Sequence, residues 1–117
     1  MQTLMPAKTL KNTGEFKKVY SRGRYAADDL FVVYALANEA DFNRLGLSIN
    51  KKVGKAVVRN RVRRWLKESY RTHFEENIKR GYDFVIVARS ASGGLAGDGA
   101  FIKVTNSLSK LFKRLKI

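Results

Sequence analysis

Apolar positions along this chain fall into six patterned stretches separated by short polar or glycine-containing breaks. Phe16, Val19 and Tyr20 recur at i, i+3 and i+4 behind a capping residue, Asn12 or Thr13, and Gly23 ends the run. That pattern predicts a short amphipathic helix. Leu30 to Leu36, LFVVYAL, is short, aromatic and β-branched, which predicts a strand. Its alternation sends Phe31 and Val33 to one face, and Val32 and Tyr34 to the other. A polar turn, Asn38 to Asn43, precedes Arg44 to Asn50, where Leu45, Leu47 and Ile49 alternate as expected of an antiparallel partner strand. After the loop Lys51 to Lys55, the residues Val58, Val62, Trp65, Leu66 and His73 recur within roughly a third of a helix circumference. This predicts a long helix reaching about Ile78. Gly81 resets the chain, and Tyr82 to Ala88 is a continuous apolar run suited to a buried strand. Ser90 to Gly99, with four glycines, is expected to be a flexible connection. Phe101, Val104, Leu108, Leu111, Phe112 and Leu115 define a last amphipathic helix from about Asp98.

The order of helix, strands, long helix, strand and helix indicates an α+β domain with one sheet and helices packed on it. At 117 residues the chain is expected to form a single domain, 1–117, with residues 1–10 a flexible N-terminus.

Charge changes the picture most. The chain carries 24 Lys and Arg against 10 Asp and Glu, a net +14. Self-repulsion on that scale favours a polyanionic partner. The basic residues concentrate in KKVGKAVVRNRVRRWLKESYR, Lys51 to Arg71, where Glu68 is the one acid. Charged helix faces are commonly just solvated, with opposite charges at i, i+4. Here Arg59 with Arg63, and Arg63 with Lys67, are like-charged neighbours. A folded cationic stripe of this kind fits a nucleic-acid backbone. No apolar run is long enough to span a bilayer, so no membrane partner is expected, and the start of the chain lacks a secretory pattern. The expected location is the cytoplasm.

Catalytic chemistry is hard to place. There is no cysteine, no HExxH and no phosphate-loop motif. His73 is the only histidine, and on the apolar edge of the long helix it reads as structural. Asp28 and Asp29 are adjacent and point apart on a strand, and Glu75 and Glu76 sit at a weakly patterned helix end. No catalytic residue is therefore expected in this chain. The aromatics offer binding instead. Phe16, Tyr20 and either Tyr34 or Phe31 lie near Lys17, Lys18 and Arg22. If the first helix adjoins the sheet, rings and basic tips line one cleft of the kind that stacks bases. The bland alternative places those rings in the core.

Three sets of residues together resemble the protein subunit of bacterial ribonuclease P. The first is Arg44 to Arg71, with a strand, the Lys-Lys-x-Gly-x-Ala-Val loop and an Arg-Asn-Arg triplet opening a basic helix. The second is Phe16-Lys-Lys-Val-Tyr20 before Gly23, and the third is the FVVY and YDFVIVAR strands. The match covers nearly the whole chain in order. The resemblance implies an αβββαβα fold, the ribosomal protein S5 domain 2-like arrangement, with a mainly antiparallel sheet and a left-handed crossover around the basic helix. The extra short strand then falls on Arg24 to Asp28. It implies an endoribonuclease that removes the 5′ leader of precursor tRNA, in which a catalytic RNA subunit performs the hydrolysis. Mg²⁺ would be bound mainly by that RNA, with no cofactor held tightly by the protein. By the same resemblance Lys51, Lys52, Lys55, Arg59, Asn60, Arg61, Arg63, Arg64 and Lys67 contact the RNA subunit, while Phe16, Lys17, Tyr20 and Tyr34 hold the leader. One protein per RNA, and a monomer when free, are expected. The competing reading is a ribosomal or other structural RNA-binding protein, which shares the size and charge. A DNA reader would more naturally show a helix-turn-helix or a dimer seam.

Overall fold

A computed structural model describes residues 8–10 and 12–117. The chain runs β1 (Lys8–Thr9), α1 (Thr13–Arg22), β2 (Arg24–Ala27), β3 (Phe31–Ala37), β4 (Arg44–Ser48), α2 (Ala56–Ser69), β5 (Tyr82–Ala88) and α3 (Ala100–Arg114). A π-helical turn, Tyr70–Phe74, extends α2, and a 3-10 helix spans Ser90–Gly94. After β1 the order is αβββαβα, as the resemblance implied. The expectation of a flexible N-terminus lies, for residues 1–7, outside the described residues. Lys8 and Thr9 pair in parallel with Arg44 and Leu45, and Leu10 is buried.

The sheet order is β1-β4-β5-β3-β2. It is mixed: β3 pairs antiparallel with β2 and β5, while β4 pairs parallel with β5 and β1. So β4 is not the antiparallel neighbour of β3, as its alternation had led us to expect. Alternation fixes which side chains share a face but not which strand lies alongside. The central place goes to β5, whose continuous run Phe84, Val85 and Ile86 is fully buried and thus suited to cover on both faces. The long helix α2 provides the crossover that returns β5 parallel to β4.

Period-two alternation divides the core. Phe31, Val33, Ala35, Leu45, Phe84 and Ile86 join Val62 and Leu66 of α2 and Val104, Leu108 and Leu111 of α3 in the main cluster. Val85, with Tyr34, Leu36 and Val87 beside it, packs on the opposite face against Leu10, Phe16 and Val19. At 10 residues, α1 is about 15 Å long, too short to cover that second face. The helix is started by a capping box, in which the Glu15 N–H donates to Asn12 Oδ1 at 2.9 Å and the Asn12 N–H to Glu15 Oε1 at 3.3 Å.

The π turn overturns the reading of His73 as an apolar-edge residue. The Glu75 N–H donates to the Tyr70 carbonyl at 2.9 Å, five residues back, so the helix gains a residue per turn and its phase slips. Phe74 takes the inward position, and His73 is exposed with its ring 6.0 Å from that of Phe101. Buried Tyr70 is the largest side chain under this turn, and burial pushes its hydroxyl pKa up. Among the described residues no helix is long and apolar enough to cross a membrane.

Candidate RNA interface

On the sheet face that α1 leaves partly open, the aromatics assemble as a cluster. The Tyr20 and Tyr34 rings meet edge to face at 5.0 Å, and Phe16 lies 6.4 Å from Tyr20. Phe31 is fully buried on the other face, so Tyr34 is the β3 ring in the cleft. Sequence reasoning missed Tyr25. It stands opposite Tyr34 in the β2–β3 register, with ring centroids 5.6 Å apart, and is 65% exposed. The signal is a hairpin register: the tight Asp29–Leu30 turn, closed by the Asp28 N–H donating to the Phe31 carbonyl at 3.0 Å, places Tyr25 beside Tyr34.

Phe16 also faces a groove of about 820 Å³ that runs between α1, β4 and α2. Its wall on α2 and the π turn that follows is Asn60, Arg63, Arg64, Lys67, Glu68 and Arg71. Its floor includes Gly46, which no pattern singled out. A Cβ there would stand 2.6 Å from the Phe16 ring, so the glycine makes room for that ring beside the cations. Residues that the sequence divided between two tasks therefore line one groove. Lys17 is not among its lining residues; it borders a separate shallow hollow with Gly14, Lys18, Ser21 and Arg22.

The other basic residues take different positions. Arg59 donates from Nη1 to the Gly54 carbonyl at 3.0 Å, closing the loop that carries exposed Lys51, Lys52 and Lys55. The Arg61 guanidinium lies 5.5 Å from the centre of the Trp65 ring, a cation–π contact, and its Nε is buried without a hydrogen-bond partner. Arg63 is held by Asn60 Oδ1 at 2.6 Å, and Arg71 by Glu68 at 2.7 Å. Since Glu68 is the one acid on this stretch and is engaged by Arg71, the groove stays strongly cationic.

The cleft is set by an ion-pair network outside the α2 stripe. Arg44 on β4 donates from Nε and Nη2 to Asp83 at 2.8 and 2.7 Å, and from Nη1 to Glu15 of α1 at 2.6 Å. Asn38 adds a bond to Asp83 at 2.9 Å. Burial alone would raise the Asp83 carboxyl, but Arg44 and Asn38 outweigh it and hold it below the usual carboxylate range. The bond to Asp83 likewise raises the Arg44 guanidinium. One arginine thereby ties α1 to the two strands beneath it.

Comparison with known proteins agrees with this geometry. The family model described as Ribonuclease P matches residues 4–116. The chain is 46% identical to the ribonuclease P protein component of Clostridioides difficile (strain 630), over 94% of this chain and 93% of that one. It is 45% identical to that of Caldanaerobacter subterraneus subsp. tengcongensis, over 90% and 86% of the two chains. The solved RNase P protein of Staphylococcus aureus superposes with a TM-score of 0.82 at 31% identity, covering 95% of this chain and 97% of that one. For the Thermotoga maritima protein the TM-score is 0.80 at 30% identity, with 92% and 96% covered. With a family match over almost its whole length and the fold of those proteins, this chain belongs to the ribonuclease P protein family, the RNA-binding subunits of the endoribonuclease that matures tRNA 5′ ends.

Proposed function

We propose that this chain grips the single-stranded 5′ leader of precursor tRNA in the α1 cleft, docks on the RNase P RNA through the Lys51–Lys55 loop and the exposed side of α2, and leaves the hydrolysis to the RNA. The observation that carries this reading is that Phe16, at one end of the Phe16–Tyr20–Tyr34 ring cluster, also lines the groove walled by the cations of α2. Rings accept bases of any identity, and the basic wall accepts the phosphates between them. A mature tRNA has no leader, so the cleft favours precursor over product. The cations would also offset repulsion between two RNAs and lower the Mg²⁺ needed for the active fold. The residues of this chain fit poorly as Mg²⁺ ligands. Asp28, Asp83 and Glu68 are engaged by Lys110, Arg44 and Arg71, and among the described residues no three His, Asp or Glu side chains converge. Mg²⁺ is therefore assigned mainly to the RNA, with one protein per RNA in the cytoplasm.

The test is 5′-leader cleavage at low Mg²⁺ by the RNA alone, the protein alone and the mixture. Cleavage confined to the mixture supports the proposal, whereas cleavage by the protein alone would defeat it. Within the mixture, Tyr20→Ala is expected to weaken precursor binding by about 1–3 kcal/mol, roughly 5- to 150-fold, while mature tRNA binds as before. An equal loss for both tRNAs would mean that Tyr20 does not touch the leader.

A further inference from the structure

A second cationic surface lies along the seam between α3 and the edge strand β2, on the sheet face opposite α1. From Ala100 to Ile117 the chain has five cations and no acid. The helix dipole favours cations in the last turn of α3, but not Lys103 near its start. Nor does it remove the repulsion between Lys110, Lys113 and Arg114, which are neighbours on the helix surface. Several cations of the seam are fixed in place. Arg24 donates from Nη1 to the Leu115 carbonyl at 2.9 Å, Arg114 to the Ala27 carbonyl at 2.9 Å, and Arg89 to the Asp28 carbonyl at 3.0 Å. Each of these bonds engages one nitrogen of a guanidinium fork that has several N–H donors. The nearby Asp28 carboxylate is turned inward, where Ser107, the Leu30 and Phe31 N–H groups and Lys110 satisfy it; Asp29 beside it is exposed.

We propose that this seam is a second site for an RNA phosphate backbone, separate from the α1–α2 groove. Pinned guanidinium forks match phosphate oxygens and lose little freedom on binding them. Backbone contact is what the seam offers, because the aromatic and leucine side chains along it, Phe112, Leu111 and Leu115, are buried and leave no ring to stack a base; Ile102, near the start of α3, is the exposed large apolar residue of the helix. One exposed isoleucine is too little apolar surface to seat the helix in a membrane, which takes up a broad face of exposed apolar residues among cations. The phosphates can come from the RNase P RNA or from the precursor tRNA.

The experiment uses the full chain with lysines that hold no part of the fold. K113Q/K116Q is compared with K79Q/R80Q, which removes two exposed cations elsewhere and so matches its net charge. Affinity is measured against salt for the RNase P RNA, and for precursor tRNA with the assembled holoenzyme. The slope of log K against log salt is expected to shrink by about 1.4–1.8 for K113Q/K116Q, from roughly 0.7–0.9 per lost phosphate contact. The arm in which it shrinks names the source of the phosphates, and K113R/K116R restores it. No change in either arm, or a change equal to that of K79Q/R80Q, overturns the proposal. R64Q in the same titration tests the groove on α2 independently, so failure of that reading is separable from failure of this one.

Discussion

Asp83→Ala is expected to destabilise the folded domain by about 3 kcal/mol, measured by urea unfolding at neutral pH. The substitution strips Arg44 of two hydrogen bonds and Asn38 of one, and leaves the guanidinium beside a half-buried sheet face with Glu15 as its remaining acid. Breaking a buried pair from one side costs more than the pair contributes, because the surviving charge stays desolvated. Arg44 is about 31% exposed, which keeps the figure at the low end of the range for such pairs. Against a typical total of about 5–15 kcal/mol the loss is large, and the chain's net +14 leaves little reserve at low salt. The same network gives a pH dependence of known sign. The folded-state pKa of Asp83 is depressed, so its stabilisation is complete above the unfolded value near 4 and is lost as pH falls through the folded one. Asp83→Asn removes that acid-side slope while keeping the shape. A loss under about 1 kcal/mol for Asp83→Ala would show that the network is solvated and does not hold α1.

How much of this was legible in the sequence differs from element to element. Helical periodicity located α2, and its like-charged neighbours mark it as a candidate polyanion surface. Period two separated Phe31 from Tyr34 and left one of them for the cleft. The same patterns were blind to pairing. Leu45 and Leu47 alternate identically on a parallel or an antiparallel strand, so β4 could not be assigned to β5 without the crossover. His73 was misplaced because one extra residue in a π turn, invisible to a 3.6-residue count, rotates everything after Tyr70. The groove was split in two because charge and aromaticity were read on separate segments. Phe16 and Arg64 come together only when α1 and α2 close over Gly46.

The glycines of the 90–99 segment carry the last lesson. Read as a flexible connection, the segment instead contains a 3-10 helix with Ser92 fully buried. A Cβ on Gly93 would stand 1.8 Å from the Val53 carbonyl oxygen, deep inside contact distance, while one on Gly94 meets nothing within 4 Å. The 3-10 helix therefore backs the turn that carries Lys51, Lys52 and Lys55, and Gly93 is the point of closest approach. Gly93→Ala is expected to push that turn away from its seat, with a loss of about 1–3 kcal/mol in stability from overpacking. RNase P RNA affinity should fall with it, since three cations of the proposed interface and the Arg59–Gly54 bond move together. Gly94→Ala, one residue on, should change neither, which separates steric displacement from any general stiffening of the segment. If Gly93→Ala lowers stability but leaves RNA affinity unchanged, then the Lys51–Lys55 turn is not part of the RNA contact and the interface is confined to α2 and the aromatic cleft.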